Sequence, residues 1–255
     1  MLDLFNYVEW QQGNIPLILS VPHGGTLECE NIPKRTSGVL GIDGETIEIA
    51  KILIALIQTF FKQQYSQFNT PSYIISKVRR SKIDLNREES EAYVQGSNIA
   101  KQIYNFYHKK IEEFVLDNLK IYERSLIIDL HGFEKANRPP GFRDVDIVLG
   151  TNNLESFYSE KIPKKDWGKN IRGRIVEKFL ELSIPIAPSH PKRGEYVLTG
   201  GYITKKYGAS LIPNSQALQI EISDRIRVQD GELRKVVLNA LAKILFEDLK
   251  GITKK

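Results

Sequence analysis

Short apolar segments that alternate with longer amphipathic ones constrain the fold of this chain more than any other feature. Six segments have the length and apolar content of strands: 17–21, 72–76, 125–129, 146–150, 184–187 and 217–222. Four longer segments carry apolar residues at helical spacing: 43–61, 99–115, 169–182 and 233–249. Alternation of this kind is typical of a sheet with helices on both faces. We therefore predict an α/β fold with a mixed, mostly parallel sheet flanked by helices.

Length and composition indicate one globular domain. At 255 residues the chain is long enough to bury one sizeable core, and we expect residues 1–255 to form a single domain. Asp3 and Glu9 stand where a signal peptide would need basic and apolar residues, and no apolar run approaches the ~18 residues of a membrane span. The single cysteine, Cys29, cannot form an internal disulfide. We therefore expect a cytoplasmic protein with no membrane partner.

The formal net charge of +5 does not by itself indicate a nucleic-acid partner. Lysines and arginines are dispersed among nearly as many acidic residues, and the densest basic segment, Lys77 to Arg80, is short. This distribution is typical of a lysine-rich solvated surface. We expect no nucleic-acid binding, and a local basic cluster that serves an anionic substrate stays open as the alternative.

Two histidines follow predicted strands at equivalent points. His23 lies in the run SVPHGG, just past one strand, and His131 lies in DLHG, just past another. Because ligands of α/β sheets bind beyond the carboxyl ends of strands, we expect both imidazoles at one edge of the sheet. Two histidines near carboxylates predict a site for one divalent metal ion, with zinc as the first choice.

A carboxylate is expected as the third ligand, because catalytic zinc takes three protein ligands and keeps a fourth position open. Asp43 and Glu45 stand at the start of the predicted helix that follows the first strand. Either could instead stabilise that helix terminus, where backbone N–H groups favour acidic side chains. Glu28 and Glu30 are nearer to His23, but they lie in a turn-rich loop that does not fix their direction.

The segment from Arg80 to Arg87, RSKIDLNR, combines guanidinium and amide groups. A guanidinium beside an amide can bind a carboxylate through two parallel N–H bonds and one amide donor. A surface turn with a structural ion pair is the alternative, because exposed ion pairs are common and weak.

Glu221 lies among apolar residues in the predicted strand 217–222. Strand alternation places Gln219 and Glu221 on the same face. A carboxylate at the end of a largely buried strand is unfavourable unless it is paired or kept for proton transfer. Near a metal-activated water, Glu221 could serve as a general base.

The joint order of these motifs resembles that of the N-formylglutamate amidohydrolase family. The set runs from about residue 15 to about residue 225 and comprises SVPHGG, Asp43 before a helix, DLNR, IDLHG, DVDIVLG, GGYITKKYG and ALQIEI. Members of this family are similar in fold to zinc carboxypeptidases and aspartoacylases. The resemblance therefore implies a zinc-carboxypeptidase-like (phosphorylase/hydrolase-like) domain.

The resemblance also implies roles for the residues around the metal. His23 and His131 would be metal ligands, Asp43 the carboxylate ligand, and Glu221 the residue that activates the water. The compact His-x-x-Glu ligand pair of the relatives is absent, because the third residue after His23 is Thr26. Glu45 therefore stays open as an alternative third ligand.

A second group of residues is expected to bind substrate. By the resemblance, Arg80, Asn86 and Arg87 would hold the substrate carboxylate. An arginine near the metal would stabilise the tetrahedral oxyanion, a role open to Arg80 or Arg143. Gly201 would let the backbone approach the substrate, although a glycine pair before Tyr202 can also shape a turn.

Together these residues predict a metal-dependent amidohydrolase. The expected reaction is hydrolysis of the amide of a small anionic N-acyl amino acid such as N-formyl-L-glutamate, with metal-activated water and Glu221 as general base. The alternatives are a metallopeptidase or another acyl-amino-acid deacylase of the same fold, and a non-catalytic binding domain that retains the fold.

Overall fold

Seven strands form one sheet in the computed structural model, which describes residues 3–66, 68–137, 143–196 and 198–252. The strands are β1 Val8–Gln11, β2 Leu17–Val21, β3 Ser72–Ser76, β4 Ser125–Phe133, β5 Ile147–Gly150, β6 Ile186–Ala187 and β7 Ser215–Ser223. Their order across the sheet is β1-β3-β2-β4-β7-β5-β6. Strands β3, β2, β4 and β7 are parallel, whereas β1 and β5 pair antiparallel with β3 and β7. The prediction of a mixed, mostly parallel α/β sheet is confirmed.

Helices cover both faces of this sheet. In the described ranges they are α1 Thr46–Tyr65, α2 Glu89–Ala92, α3 Asn98–Tyr122, α4 Ile171–Glu181, α5 Tyr202–Lys206 and α6 Gly231–Leu249. Apolar residues of α1, α4 and α6 pack on one face, and those of α3 and α5 pack on the other, here called the α3 face. None of these helices is both long and apolar enough to cross a membrane.

The register of β4 and β7 aligns the polar ends of two central strands on the α3 face. Asp129 is paired with Gln219, and His131 with Glu221. Directly opposed residues of neighbouring strands point to the same side of the sheet. Ile127 and Ala217, which are two residues earlier in the two strands, lie in the apolar core under α3. The polar pairs therefore lie at the carboxyl end of the α3 face.

The predicted boundaries of several elements differ from the observed ones, and one strand was not predicted. Helix α1 starts at Thr46 and not at residue 43, because the Thr46 hydroxyl donates to the Asp43 carbonyl oxygen at 2.6 Å and the Asp43 side chain points elsewhere. Strand β4 continues past its predicted end at residue 129 and contains His131, whereas β7 extends the predicted 217–222 to Ser215–Ser223. Strand β1 was not predicted, since a half-exposed edge strand such as Val8–Gln11 has no continuous apolar run.

Candidate functional site

Three side chains from separate segments converge at the carboxyl end of the sheet. The Nδ1 atoms of His23 and His131 lie 3.1 Å apart, and Asp43 Oδ2 lies 3.6 Å from the first and 3.2 Å from the second. All three residues are buried. The Asp43 N–H also donates to the His23 carbonyl oxygen at 3.0 Å, which ties the ends of the intervening loop together.

The glycines after His23 let the backbone turn into this crowded region. A Cβ on Gly24 would lie 2.6 Å from Thr46 Oγ1, at the start of α1. A Cβ on Gly25 would lie 2.2 Å from the carbonyl carbon of Lys77. The absence of side chains at these two positions therefore allows the chain after β2 to run against α1 and against the end of β3.

Two further carboxylates fix the orientation of the imidazoles. Asp84 Oδ1 lies 2.7 Å from His23 Nε2, and Asp129 Oδ2 lies 2.9 Å from His131 Nε2. Each carboxylate is an acceptor, so each Nε2 carries the hydrogen, and the Nδ1 atom of the neutral ring is an acceptor. Two nitrogen lone pairs and one carboxylate oxygen then face one another across the same space.

The spacing of these three acceptors fits a tetrahedral metal ion. Zinc binds imidazole nitrogen at about 2.0–2.1 Å, which gives ligand-to-ligand edges of about 3.3 Å in a tetrahedron. The three edges observed are 3.1, 3.2 and 3.6 Å. A carboxylate on the distal nitrogen of each imidazole is the arrangement that orients metal-ligating histidines. His23, Asp43 and His131 could therefore hold a divalent ion and leave a fourth position open.

The electrostatics of the site also favour a bound cation. Burial raises the pKa of the Asp43 carboxyl, but hydrogen bonds and charge from His131 and His23 bring it well below its usual value. Burial lowers the pKa of His131, yet the Asp129 carboxylate, helped by Asp43 and Glu221, raises it well above its usual value. The carboxylates thus attract positive charge to the space between the rings.

The charges of the surrounding network do not cancel. It contains four carboxylates and two guanidinium groups: Asp43, Asp84, Asp129, Glu221, Arg35 and Arg80. Arg80 Nε donates to Asp84 Oδ2 at 3.1 Å, and its Nη1 lies 3.5 Å from Asp43 Oδ1. With both histidines neutral this set has a charge of −2, which a divalent cation would balance.

Glu221 stands beside the three acceptors and is held by an amide relay. Gln219 Nε2 donates to Glu221 Oε1 at 2.8 Å, while Gln219 Oε1 accepts from the Gly201 N–H at 2.6 Å. Asn86 Oδ1 accepts from the Ile203 N–H at 2.8 Å, and its Nδ2 lies 3.1 Å from His131 Nε2. Burial raises the pKa of Glu221 despite the opposing charge of His131, which suits a group that accepts and returns a proton.

Comparison with known proteins identifies solved structures of similar fold. No family model and no curated protein matches the chain. Among solved structures, the N-formylglutamate amidohydrolase from Ralstonia eutropha JMP134 matches with a TM-score of 0.65 at 12% identity, over 94% of this chain and 96% of that one. The chain has the fold of an N-formylglutamate amidohydrolase. Gene product Atu2144 from Agrobacterium tumefaciens matches with a TM-score of 0.58 at 13% identity, over 95% and 92% of the two chains.

Within this amidohydrolase fold, other predicted residues lie outside the three-acceptor cluster. Glu45 is exposed, so Asp43 alone of the two candidates faces the histidines. Arg87 is exposed, and its carbonyl oxygen accepts from the Tyr104 hydroxyl. Arg143 is also exposed and donates to Ser189 Oγ at 2.9 Å. The Asn86 amide and the Gly201 N–H already form hydrogen bonds within the protein, to the Ile203 N–H and to Gln219 Oε1.

Three residues of the site were not singled out from the sequence. Asp129 lies two residues before His131, and strand alternation would have placed both on one face. Asp84 was part of a quoted motif, but its contact with His23 depends on loop geometry. Arg227 is fully buried and donates to the carbonyl oxygens of Gly44, Phe133 and Ile222. Its role follows from tertiary packing in the amidohydrolase fold, and no local pattern indicates it.

Proposed function

We propose that this chain is a metal-dependent hydrolase that cleaves the amide bond of a small anionic N-acyl amino acid such as N-formyl-L-glutamate. The observation that carries the proposal is the convergence of His23 Nδ1, His131 Nδ1 and Asp43 Oδ2 beside Glu221. The likeness of the fold to an N-formylglutamate amidohydrolase agrees with this chemistry. A non-catalytic binding domain would not need a general base next to a metal site.

His23, Asp43 and His131 would hold one divalent ion, with zinc the first choice for this donor set. When bound, such an ion acts as a Lewis acid that activates water and polarises the amide carbonyl. Asp84 and Asp129 keep the two imidazoles in the ligating orientation through their Nε2 atoms. With both rings neutral and the hydrogen on Nε2, the Nδ1 atoms need no change of tautomer when the ion enters.

Glu221 takes the proton from the attacking water and returns it to the leaving nitrogen. Its raised pKa makes the removal of the proton from water easier, because a more basic carboxylate binds the proton more firmly. Arg80, next to Asp43 and Asp84, supplies the positive charge nearest to the site for the developing oxyanion or the substrate carboxylate. One well-placed donor of this kind contributes about 3 kcal/mol to the transition state.

Paired variants test this assignment. Zinc content is measured by mass spectrometry after reconstitution, and release of formate from N-formyl-L-glutamate is followed in parallel. We expect His131→Ala to lose both zinc and turnover, whereas Glu221→Gln keeps zinc and loses turnover by about 100-fold or more. Glu232→Gln, an exposed acid on α6, serves as the control and should change neither.

Three outcomes would contradict the proposal. A wild-type protein that binds neither zinc, manganese nor cobalt would remove the metal site. Equal zinc loss in the Glu221 and His131 variants would show that Glu221 is a ligand. Cleavage of peptides with free C-termini, with N-formyl-L-glutamate left intact, would favour a metallopeptidase.

A further inference from the structure

A row of polar residues lies one step behind the candidate metal site on the α3 face. Ser20 of β2 is paired with Asp129 of β4, and Asp129 is paired with Gln219 of β7. Asp129 and Gln219 stand two positions before His131 and Glu221 in their strands, so each pair points to the same face. Asp129 contacts His131, and Gln219 contacts Glu221. Ser20, the third member of the row, contacts Asp129.

Ser20 and Tyr107 continue the contact of His131 into the core as one chain of hydrogen bonds. Asp129 Oδ2 lies 2.9 Å from His131 Nε2, and Ser20 Oγ donates to Asp129 Oδ1 at 2.7 Å. The Tyr107 hydroxyl, on α3, lies 3.0 Å from Ser20 Oγ. Ser20, Tyr107 and Asp129 are fully buried. The chain therefore runs from α3 through β2 to β4 without contact with solvent.

The directions of these hydrogen bonds follow from the Asp129 carboxylate. A carboxylate only accepts, so the Ser20 hydrogen points to Asp129 Oδ1. Ser20 Oγ is then an acceptor for the Tyr107 hydroxyl, which has the Ile74 carbonyl oxygen at the longer distance of 3.4 Å. Both hydroxyl hydrogens therefore point towards the carboxylate that contacts His131.

The surroundings of this chain are apolar. Ile18, Ile74 and Ile127 belong to the core under α3, and a hydroxyl buried in such a core costs free energy unless it is hydrogen-bonded. Apolar groups of the same shape in place of both hydroxyls would be close to neutral for stability. The two hydroxyls are therefore better explained by the carboxylate that they hold than by a gain in stability.

The carboxylate behind the other imidazole is held in a comparable way. Asp84 Oδ1 lies 2.7 Å from His23 Nε2, while Asp84 Oδ2 accepts from Arg80 Nε at 3.1 Å. In both pairs one carboxylate oxygen contacts the imidazole and the other accepts from a separate donor. For Asp84 that donor is a guanidinium in the segment proposed to contact substrate, whereas for Asp129 it is the Ser20 hydroxyl in the core.

We propose that Ser20 is a positioning residue of the metal site. Its hydroxyl, held by Tyr107, fixes one oxygen of Asp129, so that the other oxygen orients the His131 ring and keeps Nδ1 directed into the space between the three acceptors. The inference rests on the proposed function in one respect, the binding of a divalent ion by these acceptors. It does not require that the protein hydrolyses any particular amide.

Matched serine variants separate positioning from stability. In competition with a zinc indicator, Ser20→Ala should bind zinc about 10-fold more weakly, the usual effect of losing support behind a ligand. The visible absorption bands of the cobalt-substituted protein, which report ligand geometry, should shift. Ser125→Ala removes an equally buried hydroxyl on the same face of β4, at the end far from His131, and should change neither property. Tyr107→Phe should produce the effects of Ser20→Ala to a smaller extent.

The results distinguish failure of the inference from failure of the proposed function. Weaker zinc binding and shifted cobalt bands in Ser20→Ala but not in Ser125→Ala would support the positioning role, even if no formyl compound is hydrolysed. Unchanged affinity and bands in a Ser20→Ala protein that urea unfolding shows to be folded would overturn it, even in an active hydrolase. If Ser20→Ala does not fold, unchanged affinity and bands in Tyr107→Phe overturn it. A wild type that binds neither ion contradicts both proposals.

Discussion

Replacement of Arg227 by methionine should weaken both the fold and the metal site. The Arg227 guanidinium donates to the carbonyl oxygens of Gly44, Phe133 and Ile222 and to Glu134. These carbonyls follow Asp43, His131 and Glu221 by one or two residues, so one side chain connects three segments of the candidate site. Methionine fills similar space without a donor, and the three carbonyl oxygens lose their partner.

The size of the effect follows from this contact set. An unsatisfied buried acceptor costs about 1–3 kcal/mol, so Arg227→Met should lower the free energy of unfolding by at least about 3 kcal/mol. For a chain of this length, that corresponds to a decrease in Tm of about 6–12 °C. Because the ligands lose a common support, zinc affinity should fall by about 10- to 100-fold, the usual effect of removing outer-shell support.

Arg124→Met separates stability from site geometry. Arg124 is partly buried just before β4, at the opposite end of that strand from His131, and it donates to the Asp248 carbonyl oxygen and Gln216 Oε1. Urea unfolding and competition with a zinc indicator should report stability loss in both variants but weaker zinc binding in Arg227→Met only. If the two variants bind zinc equally well under conditions in which both are fully folded, the connection between Arg227 and the ligands is refuted.

Two further perturbations address the imidazoles and the core under α3. Asp129→Asn should reduce zinc affinity by about 10- to 100-fold, because the amide replaces the charged partner of His131 Nε2; an unchanged indicator titration would argue against that role. Burial, aided by the charge of Lys206, lowers the pKa of His108 to about 3 in the folded protein. In the unfolded chain the pKa is about 6.5, so the unfolded chain binds this proton at a higher pH than the folded protein does. The wild type should therefore lose about 2–3 kcal/mol relative to His108→Gln in urea unfolding between pH 6.5 and 4.5, and parallel pH curves for the two proteins would contradict the assignment.

The strands could be predicted from the sequence where burial is continuous. The observed bounds of Leu17–Val21 and Ser72–Ser76 equal the predicted ones, because both strands are surrounded by apolar layers. The prediction ended β4 at residue 129 and β7 at residue 222, whereas the two strands continue to Phe133 and Ser223. The continuous apolar run of β4 stops before the site residue His131, so an apolar pattern ends this strand too early.

The acceptor cluster and the neighbouring acid could be anticipated from polar residues that end or follow strands or precede the first helix: His23, Asp43, His131 and Glu221. His131 and Glu221 are placed by strand alternation and by the rule that ligands bind at carboxyl ends. Arg227 reaches the site region across a long sequence separation, and only packing of the chain after β7 brings it there. Exposure of Arg87 likewise depends on the loop path, which composition does not determine.

The backbone hydrogen bond between Asp43 and His23 has a consequence for how related centres are recognised. The nineteen residues between these two positions form a loop whose two ends are hydrogen-bonded to each other. The number of residues in the loop therefore does not set the distance between the two side chains. Insertions or deletions in this excursion would leave the three acceptors where they are. Searches that require a fixed interval between donor residues will therefore overlook proteins built this way, whereas comparison of strand termini in space will find them.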